Sequence, residues 1–144
     1  MGKHAIIIIK NNNNEYLQYY DNIWESFLFL NCKLFDDKEN ENNIKKLLEE
    51  KLKRNKIERI KFLGNKIHKK YSESAKKEKE YNHYFFEVKL NINDINSNKE
   101  FKINDNQFCW MSAEELRRNE RIMKVNSDIV DFVNELYSNS KSLN

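Results

Sequence analysis

The chain contains 144 residues, of which 39% are hydrophobic and 12% aromatic, so it is long and apolar enough to bury one core without metal or disulfide support. Its 26 basic and 23 acidic residues give a formal charge of +3, which argues against a strong nonspecific duplex binder. The low mean hydropathy of −0.93 arises largely from Asn and Lys, and we interpret it as a compositional bias of a folded chain. We therefore expect one domain over residues 1–144.

The N-terminal region predicts a buried strand. Residues 5–9 are rich in β-branched side chains and are followed by four Asn residues, which favours a strand and then a hairpin to residues 15–18. Four successive Ile residues indicate burial on both faces, as in a central strand of a layered α/β domain. This run is too short to span a bilayer or to form a signal-peptide core, so we expect a cytoplasmic protein without a membrane partner.

A strand over residues 24–30 and a helix over residues 39–54 are predicted next. The helix is indicated by apolar residues that recur at helical spacing on one face, namely Ile44, Leu47, Leu48 and Leu52. After it, residues 57–63 predict a strand that ends near Gly64. The polar and Lys-rich residues 68–80 predict a long loop or loose hairpin.

The C-terminal half predicts an aromatic strand, a second strand and two helices. The aromatic strand covers residues 81–90, and a polar connection over residues 91–99 leads to a strand at residues 108–111. Ser112 and Glu115 form a capping box, so a helix should begin there. A final helix is expected over residues 127–137, with four residues facing the core: Ile129, Val130, Val133 and Leu136.

The two cysteines, Cys32 and Cys109, lack metal-ligand spacing. This favours reduced thiols in a cytosolic protein, and a disulfide between the two is the alternative.

The segment between the strand at residues 24–30 and the following helix has the spacing of a known motif. The Nudix box reads Gly, five residues, Glu, seven residues, Arg-Glu, an aliphatic, one residue, Glu-Glu, one residue, Gly. Without a gap, these positions hold Asn31, Asp37, Lys45, Lys46, Leu47, Glu49, Glu50 and Leu52. The order of the flanking strands and helices also matches, so the chain resembles the Nudix superfamily over most of its length.

The resemblance implies an α/β fold, a Nudix-type α/β/α sandwich with a mixed β-sheet. It also implies that glutamates of the box helix hold Mg²⁺ or Mn²⁺ against a nucleoside diphosphate linked to another group, while water attacks a phosphorus. The retained catalytic and metal-ligating positions are then Glu49 and Glu50.

The box departs from the pattern at positions that matter for metal binding. Lys46 stands where the pattern has a glutamate, one turn before Glu49 and Glu50, so its ammonium should compete with a divalent ion for their oxygens. Lys45 keeps the charge of Arg without its forked donors, and Asp37 is a shorter carboxylate than Glu. We expect either no cofactor or weakly bound Mg²⁺.

Three functional hypotheses follow. In the first, the domain binds a nucleotide or nucleotide-derived diphosphate through Lys45, Lys46, Asp37 and His83, and hydrolysis is weak or absent. In the second, it is an active Mg²⁺-dependent hydrolase that recruits carboxylates from elsewhere, such as Asp36, Glu39, Glu41 or Glu73. In the third, it is an interaction module that binds a protein partner. The chain is also loosely similar to Nudix-like domains that accompany bacterial second-messenger nucleotidyltransferases in defence systems.

Other side chains have a structural and a functional interpretation. His83 shares a strand face with Tyr81 and Phe85, so it is either a satisfied structural histidine or a ligand contact able to transfer protons near neutral pH. The aromatic residues Trp24, Phe108 and Trp110 either belong to the core or stack on a ligand base. Residues 66–80 are either a solvated loop or a basic segment that closes over phosphates or binds single-stranded nucleic acid, through Lys66, Lys69, Lys70, Lys76, Lys77 and Lys79.

Overall fold

The strands of the chain join one mixed sheet. The computed structural model describes residues 2–35, 39–53, 56–72, 75–91 and 97–142. The strands are β1 (Gly2–Ile8), β2 (Glu15–Asp21), β3 (Ser26–Leu34), β4 (Ile57–Ser72), β5 (Lys77–Leu90), β6 (Glu100–Ile103) and β7 (Asn106–Ser112). The helices are α1 (Asn40–Leu52), α2 (Ala113–Arg118) and α3 (Glu120–Ser142). The order of strands in the sheet is β4-β5-β1-β3-β2-β7-β6.

The β1 strand lies inside the sheet, as predicted from its run of Ile residues. It pairs in parallel with β5 and antiparallel with β3, which makes the sheet mixed. Ile7 and Ile9 belong to the core on one face, and Ile6 and Ile8 belong to the core on the other. Alternating side chains thus pack on both faces, which explains why no polar residue interrupts the run.

The predicted hairpin between the first two strands is confirmed only next to its turn, where Lys10 and Tyr16 form one antiparallel bridge. The β3 strand lies between β1 and β2, so these two strands are not neighbours in the sheet. They meet only beyond the end of β1, where the Leu17 amide donates to the Ile9 carbonyl at 2.9 Å. The four-Asn turn therefore reverses the chain without setting up a two-stranded ladder.

Helices cover both faces of the sheet, which confirms the predicted α/β/α sandwich. On one face, α1 buries the four residues predicted from its periodicity: Ile44, Leu47, Leu48 and Leu52. Each such side chain contributes about 1.5–3 kcal/mol when it is fully buried. On the other face, α2 and α3 bury Leu116, Ile122, Ile129, Val130 and Val133.

The sequence-based prediction differs from the structure over the most residues at β4 and β5. The predicted end of β4 near Gly64 is wrong, because the strand continues to Ser72 and pairs with β5 along this length. Of the two alternatives predicted for residues 68–80, a long loop or a loose hairpin, the hairpin is confirmed, because most of these residues form a two-stranded arm with His68 opposite Tyr81 and Ser72 opposite Lys77. Many side chains of this arm are exposed, so its composition is that of a loop although its backbone pairs.

Gly64 allows β4 to continue through an irregularity. The register between β4 and β5 shifts between Phe62 and Gly64, and Gly64 has φ of 152°. L-residues rarely adopt such a φ, whereas glycine does so without steric cost. An added Cβ would meet only Leu136 Cδ2, at 3.9 Å, which is an ordinary contact.

We expect Gly64→Ala to lower the free energy of unfolding by roughly 1–3 kcal/mol through backbone strain. The loss would be measured by urea denaturation. Lys61→Ala, at an exposed position of the same strand, is the matched control and should change stability by less than about 0.5 kcal/mol. Equal losses in the two variants would contradict the strain at Gly64.

The C-terminal elements are confirmed in part. The capping box is present, since the Glu115 amide donates to Ser112 Oγ at 3.2 Å and the Ser112 amide donates to Glu115 Oε1 at 3.0 Å. The short β6 strand was not predicted. The α3 helix begins at Glu120, earlier than predicted, and contains a kink at Asn126, where φ is −139° and ψ is 22°.

Candidate functional site

A cavity of about 170 Å³ lies between β1, β3, β5 and α3. Its apolar lining consists of Ile6, Leu28, Phe29 and Ile129. Its polar and aromatic lining comes from distant parts of the chain and comprises His4, Trp24, Asn31, Lys70, Tyr81, His83 and Asn126. An apolar cavity of about 150 Å³ can hold benzene. The cavity therefore has room for one aromatic ring.

Lys70 lies at the wall of the cavity and is held by α3. Its Nζ donates to Asn126 Oδ1 at 3.1 Å and to Asp128 Oδ1 at 3.2 Å. The same Nζ lies 5.7 Å from the ring centroid of Trp24 and 5.9 Å from that of Tyr81. Burial lowers the pKa of Lys70, and the Asp128 carboxylate opposes this shift. The kink of α3 at Asn126 thus lies where the helix meets this side chain.

All three histidines of the chain lie at or beside this cavity. His4 of β1 and His83 of β5 stand opposite each other in the parallel register. His68 of β4 reaches the same place, with its Nδ1 at 2.9 Å from His83 Nδ1 and 3.8 Å from Asp128 Oδ2. Tyr81 stacks on His83 with ring centroids 5.5 Å apart.

Burial disfavours the charged form of these imidazoles and lowers the pKa of each. It lowers the pKa of His83 to about 3, and Lys70, His68 and His4 add smaller shifts in the same direction. Burial also lowers the pKa of His4 and of His68, although Asp128 opposes the shift at His68. This does not fit the predicted role of His83 in proton transfer near neutral pH. The position of His83 in the cavity lining is compatible with its predicted contact to a ligand, which stays a prediction.

The box residues of α1 lie on the other face of the sheet. Lys45, Lys46, Glu49 and Glu50 are all exposed, while the apolar residues between them pack on the core. None of these four residues is among those lining the cavity. The structure therefore does not bring His83 together with Lys45 and Lys46, although all three were predicted to contact one ligand.

The described part of the chain does not supply a full magnesium site at α1. Within it, Glu49 and Glu50 have no third carboxylate, histidine or cysteine close enough to share an ion with them. Glu39 and Glu41, at the start of α1, are exposed and do not complete such a group. Three further acidic residues from the sequence-based prediction lie outside the described residues: Asp36, Asp37 and Glu73.

The chain is similar in structure to several solved Nudix proteins. The chain is 13% identical to a NUDIX hydrolase from Nitrosomonas europaea, with a TM-score of 0.63 over 97% of this chain and 90% of that one. It is 12% identical to the Ap4A hydrolase of C. elegans, with a TM-score of 0.57 over 96% of each chain. A hydrolase of the NUDIX family from Clostridium perfringens is also 12% identical, with a TM-score of 0.54 over 93% of this chain and 94% of that one. The chain has the Nudix fold.

At these identities the likeness establishes the fold alone. The predicted resemblance to the Nudix superfamily is thus confirmed in architecture. No protein-family model matches the sequence, and no curated protein sequence matches it. Within the described residues of this Nudix-fold protein, none of the helices is both long and apolar enough to cross a bilayer.

The Nudix fold forms here without glycine at either glycine position of the box. Asn31 lies within β3, pairs with Ile6 and donates from Nδ2 to the Phe29 carbonyl at 2.9 Å. Leu52 is a buried residue of α1, 2% exposed. The left-handed residue that ends α1 is Lys53, with φ of 58°, whose amide donates to the Glu49 carbonyl at 3.1 Å. The turn after the helix is therefore made one residue later than the box pattern places its glycine.

The structure buries two of the three aromatic residues that had two interpretations and places the third at the cavity. Phe108 and Trp110 are buried in the core on the α1 face of this Nudix fold, at 0% and 2% exposure. Trp24 is half-buried and lines the cavity, so it alone of the three is placed to stack on a ligand. Both cysteines are free thiols; Cys109 is buried and Cys32 is half-buried.

Sequence reasoning missed most of the cavity. His4, His68, Asn126 and Asp128 were not singled out, and Lys70 was one lysine among several in a supposed loop. Only Lys70 of that basic segment lines the cavity. One signal was available in the sequence. The chain has only three histidines, of which His4 directly precedes the buried run of Ile residues and His83 lies in the aromatic strand.

Proposed function

We propose that this Nudix-fold protein binds a nucleotide or a nucleotide-derived diphosphate, with its base in the cavity between β1, β3, β5 and α3, and that hydrolysis is weak or absent. The observation that carries the proposal is the combination of aromatic rings, amides and one ammonium in a single ring-sized cavity. Nucleotide ligands present an aromatic base, hydrogen-bonding base edges and negative phosphates, and this lining matches each of the three.

The cavity lining supports base binding through two kinds of side chain. Trp24 and Tyr81 offer π-faces on which a base can stack. Asn31 and Asn126 carry amides that can pair with the donors and acceptors of a base edge. Lys70, between the two rings, supplies the positive charge for a phosphate or an electronegative base edge.

Lys45 and Lys46 are proposed contacts for the phosphates outside the cavity. Both are exposed on α1. The β3 strand that contributes Asn31 to the cavity precedes α1 in the chain. These lysines and the cavity lie on opposite faces of the sheet, so a ligand that contacts both would pass around the edge of the sheet.

Weak or absent hydrolysis is supported by the composition of α1. A hard divalent cation requires several oxygen ligands, and the retained positions offer only Glu49 and Glu50. Lys46, one turn earlier, brings an ammonium toward the same carboxylates. An active Mg²⁺-dependent hydrolase would have to complete its site with other carboxylates, so measured hydrolysis by the native chain would overturn this part of the proposal.

The experiment is a thermal-shift panel of nucleotides, dinucleotide cofactors and sugar nucleotides, each with Mg²⁺ and with a chelator. A ligand that binds the folded chain raises the melting temperature. We expect at least one nucleotide to do so in the presence of the chelator. If no compound raises it under either condition, the binding proposal is wrong.

Trp24→Ala should weaken binding of the ligand found in this panel roughly tenfold, because loss of one stacking ring costs on the order of 1–3 kcal/mol per base. The affinity would be measured by titration calorimetry. Ile23→Ala is the matched control, since Ile23 lies in the same turn, is 68% exposed and does not line the cavity. Equal affinities of the two variants would place the ligand elsewhere.

A further inference from the structure

We propose that His68, His83 and Asp128 form a binding site for a divalent transition-metal ion of the Zn²⁺ class, in the wall of the cavity and separate from the glutamates of α1. The three residues come from β4, β5 and α3, so the site exists only in the folded chain.

The distances between the donor atoms fit one shared ion. Each residue offers one ligand atom, and these atoms lie within 4.8 Å of one another. The two Nδ1 atoms are 2.9 Å apart, and His68 Nδ1 is 3.8 Å from Asp128 Oδ2. Tetrahedral Zn²⁺ with ligands at roughly 2.0–2.2 Å separates adjacent donor atoms by roughly 3.3 Å. These two separations lie on either side of that value, and the third, between His83 and Asp128, is at most 4.8 Å, so side-chain rotation is needed to complete the geometry.

Asp128 presents one oxygen that the rest of the structure leaves unused. Its Oδ1 accepts hydrogen bonds from Lys70 Nζ at 3.2 Å and from the Ile129 amide at 2.9 Å. Its Oδ2 is buried and accepts no hydrogen bond from the described residues. A buried carboxylate oxygen without a partner is costly, and most such atoms in native proteins are satisfied by a protein group, a water or an ion. This oxygen is the one nearer to His68 Nδ1.

The state of the two imidazoles suits a metal. Imidazole coordinates a metal only in its neutral form, which is the main form of an ordinary histidine at pH 7 and above. In the absence of an ion, their Nδ1···Nδ1 hydrogen bond requires that one ring carry hydrogen on Nδ1. Metal binding requires the lone pair of both Nδ1 atoms, so that ring moves its hydrogen to Nε2 without net release of a proton.

Two nitrogens and one carboxylate oxygen select the class of ion. Imidazole favours Zn²⁺ and its transition-metal neighbours, whereas Mg²⁺ and Ca²⁺ favour sites made of oxygen. Three protein ligands leave a coordination position open, as in catalytic zinc sites. His83 lines the cavity, so the proposed metal site adjoins it. Lys70 near Asp128 Oδ1 opposes the charge of the ion and weakens its binding.

The test is titration of the full, untagged chain with ZnCl₂ alone, after dialysis against a chelator, followed by calorimetry. Co²⁺ titration, followed by visible absorption, reports the ligand set. We expect one Zn²⁺ per chain and a rise in melting temperature. His68→Gln should weaken binding roughly 100-fold or more, and Asp128→Asn roughly tenfold or more. The circular-dichroism melting curve of each variant with chelator present shows that the folded chain was titrated.

Three controls separate this site from other metal-binding groups. Asp131→Asn changes another carboxylate of α3 that is exposed to solvent, Cys32→Ser removes the more accessible thiol, and Glu49→Gln changes the box helix. Each should bind Zn²⁺ within about threefold of the native chain, because none of the three residues belongs to the ligand group. The proposal is overturned if the native chain binds no more tightly than His68→Gln, or if any control loses as much affinity as His68→Gln. No nucleotide is present in these titrations, so their outcome does not depend on the proposed function.

Discussion

Replacing Lys70 with methionine should lower the free energy of unfolding by about 2–3 kcal/mol, slightly below the range for fully buried ion pairs. The Lys70 and Asp128 side chains are only 17% and 22% exposed, so the pair is shielded from water. Without Lys70, Asp128 Oδ1 and Asn126 Oδ1 lose a donor, and the carboxylate is left in the cavity wall without its cation. Methionine keeps an unbranched apolar stem, so the loss reports mainly the missing ammonium.

The neighbouring residue is the matched control. Lys69 precedes Lys70 on β4, pairs with Glu80 at 3.4 Å and has a side chain that is 66% exposed. Lys69→Met should change the free energy of unfolding by less than about 1 kcal/mol, as is usual for surface ion pairs. Urea denaturation of both variants measures the difference. Equal losses would show that the contacts of Lys70 with α3 contribute no more than a surface pair.

A double-mutant cycle isolates the interaction itself. If Lys70 stabilises the fold through the Asp128 carboxylate, the combination of Lys70→Met with Asp128→Asn should be less destabilised than the sum of the single variants, by about 1 kcal/mol or more. Additive losses would assign the effect of Lys70 to Asn126 and the ring contacts instead. The same variants also show whether α3 is held against the β4–β5 arm through this pair.

Much of the fold could be predicted because its signals are local. The four buried residues of α1 follow from helical spacing, and the capping box of α2 follows from Ser112 and Glu115 alone. The Ile run of β1 required burial on both faces whatever its neighbours were. In each case the deciding interaction lies within a few residues of sequence, so the local pattern is enough to predict the element and its buried face.

The errors concern pairing between distant segments. The four-Asn turn reverses the chain, but whether β2 then pairs with β1 depends on β3, which inserts between them. The arm of β4 and β5 has exposed Lys and Glu side chains, so neither alternation nor apolar content marks it as strand. Backbone pairing over residues such as Lys70 and Lys79 is what orders it.

The cavity could not have been assembled from the sequence. Lys70 and Asp128 are 58 residues apart, and His68 and His83 meet only because β4 extends beyond its predicted end. The kink of α3 at Asn126 lies in the same wall of the cavity, and no glycine or proline in the sequence predicts it. The box residues were visible from their spacing, yet the structure places them on the face away from the histidines.

Lys46→Glu should raise the affinity of the chain for Mg²⁺ roughly tenfold or more. The change removes one positive charge and adds one negative charge within a turn of Glu49 and Glu50, and each unit charge contributes on the order of 1 kcal/mol to the attraction of a divalent ion in exposed surroundings. All three side chains are exposed on α1, so the new carboxylate faces solvent and the helix core is untouched. Calorimetric titration with MgCl₂ at low ionic strength measures the gain.

The control must reproduce the change in net charge without the geometry of α1. Lys61→Glu does so, because Lys61 is exposed on β4 beside Leu136 and Tyr137, on the face opposite α1. It should leave Mg²⁺ affinity within about twofold, since a screened charge beyond a Debye length of about 8–10 Å has little effect. A gain confined to Lys46→Glu locates the obstacle to metal binding at this ammonium. If neither variant gains affinity for Mg²⁺, the missing glutamate is not what limits Mg²⁺ binding. The two retained carboxylates then lack the geometry to bind the ion even when a third carboxylate is supplied.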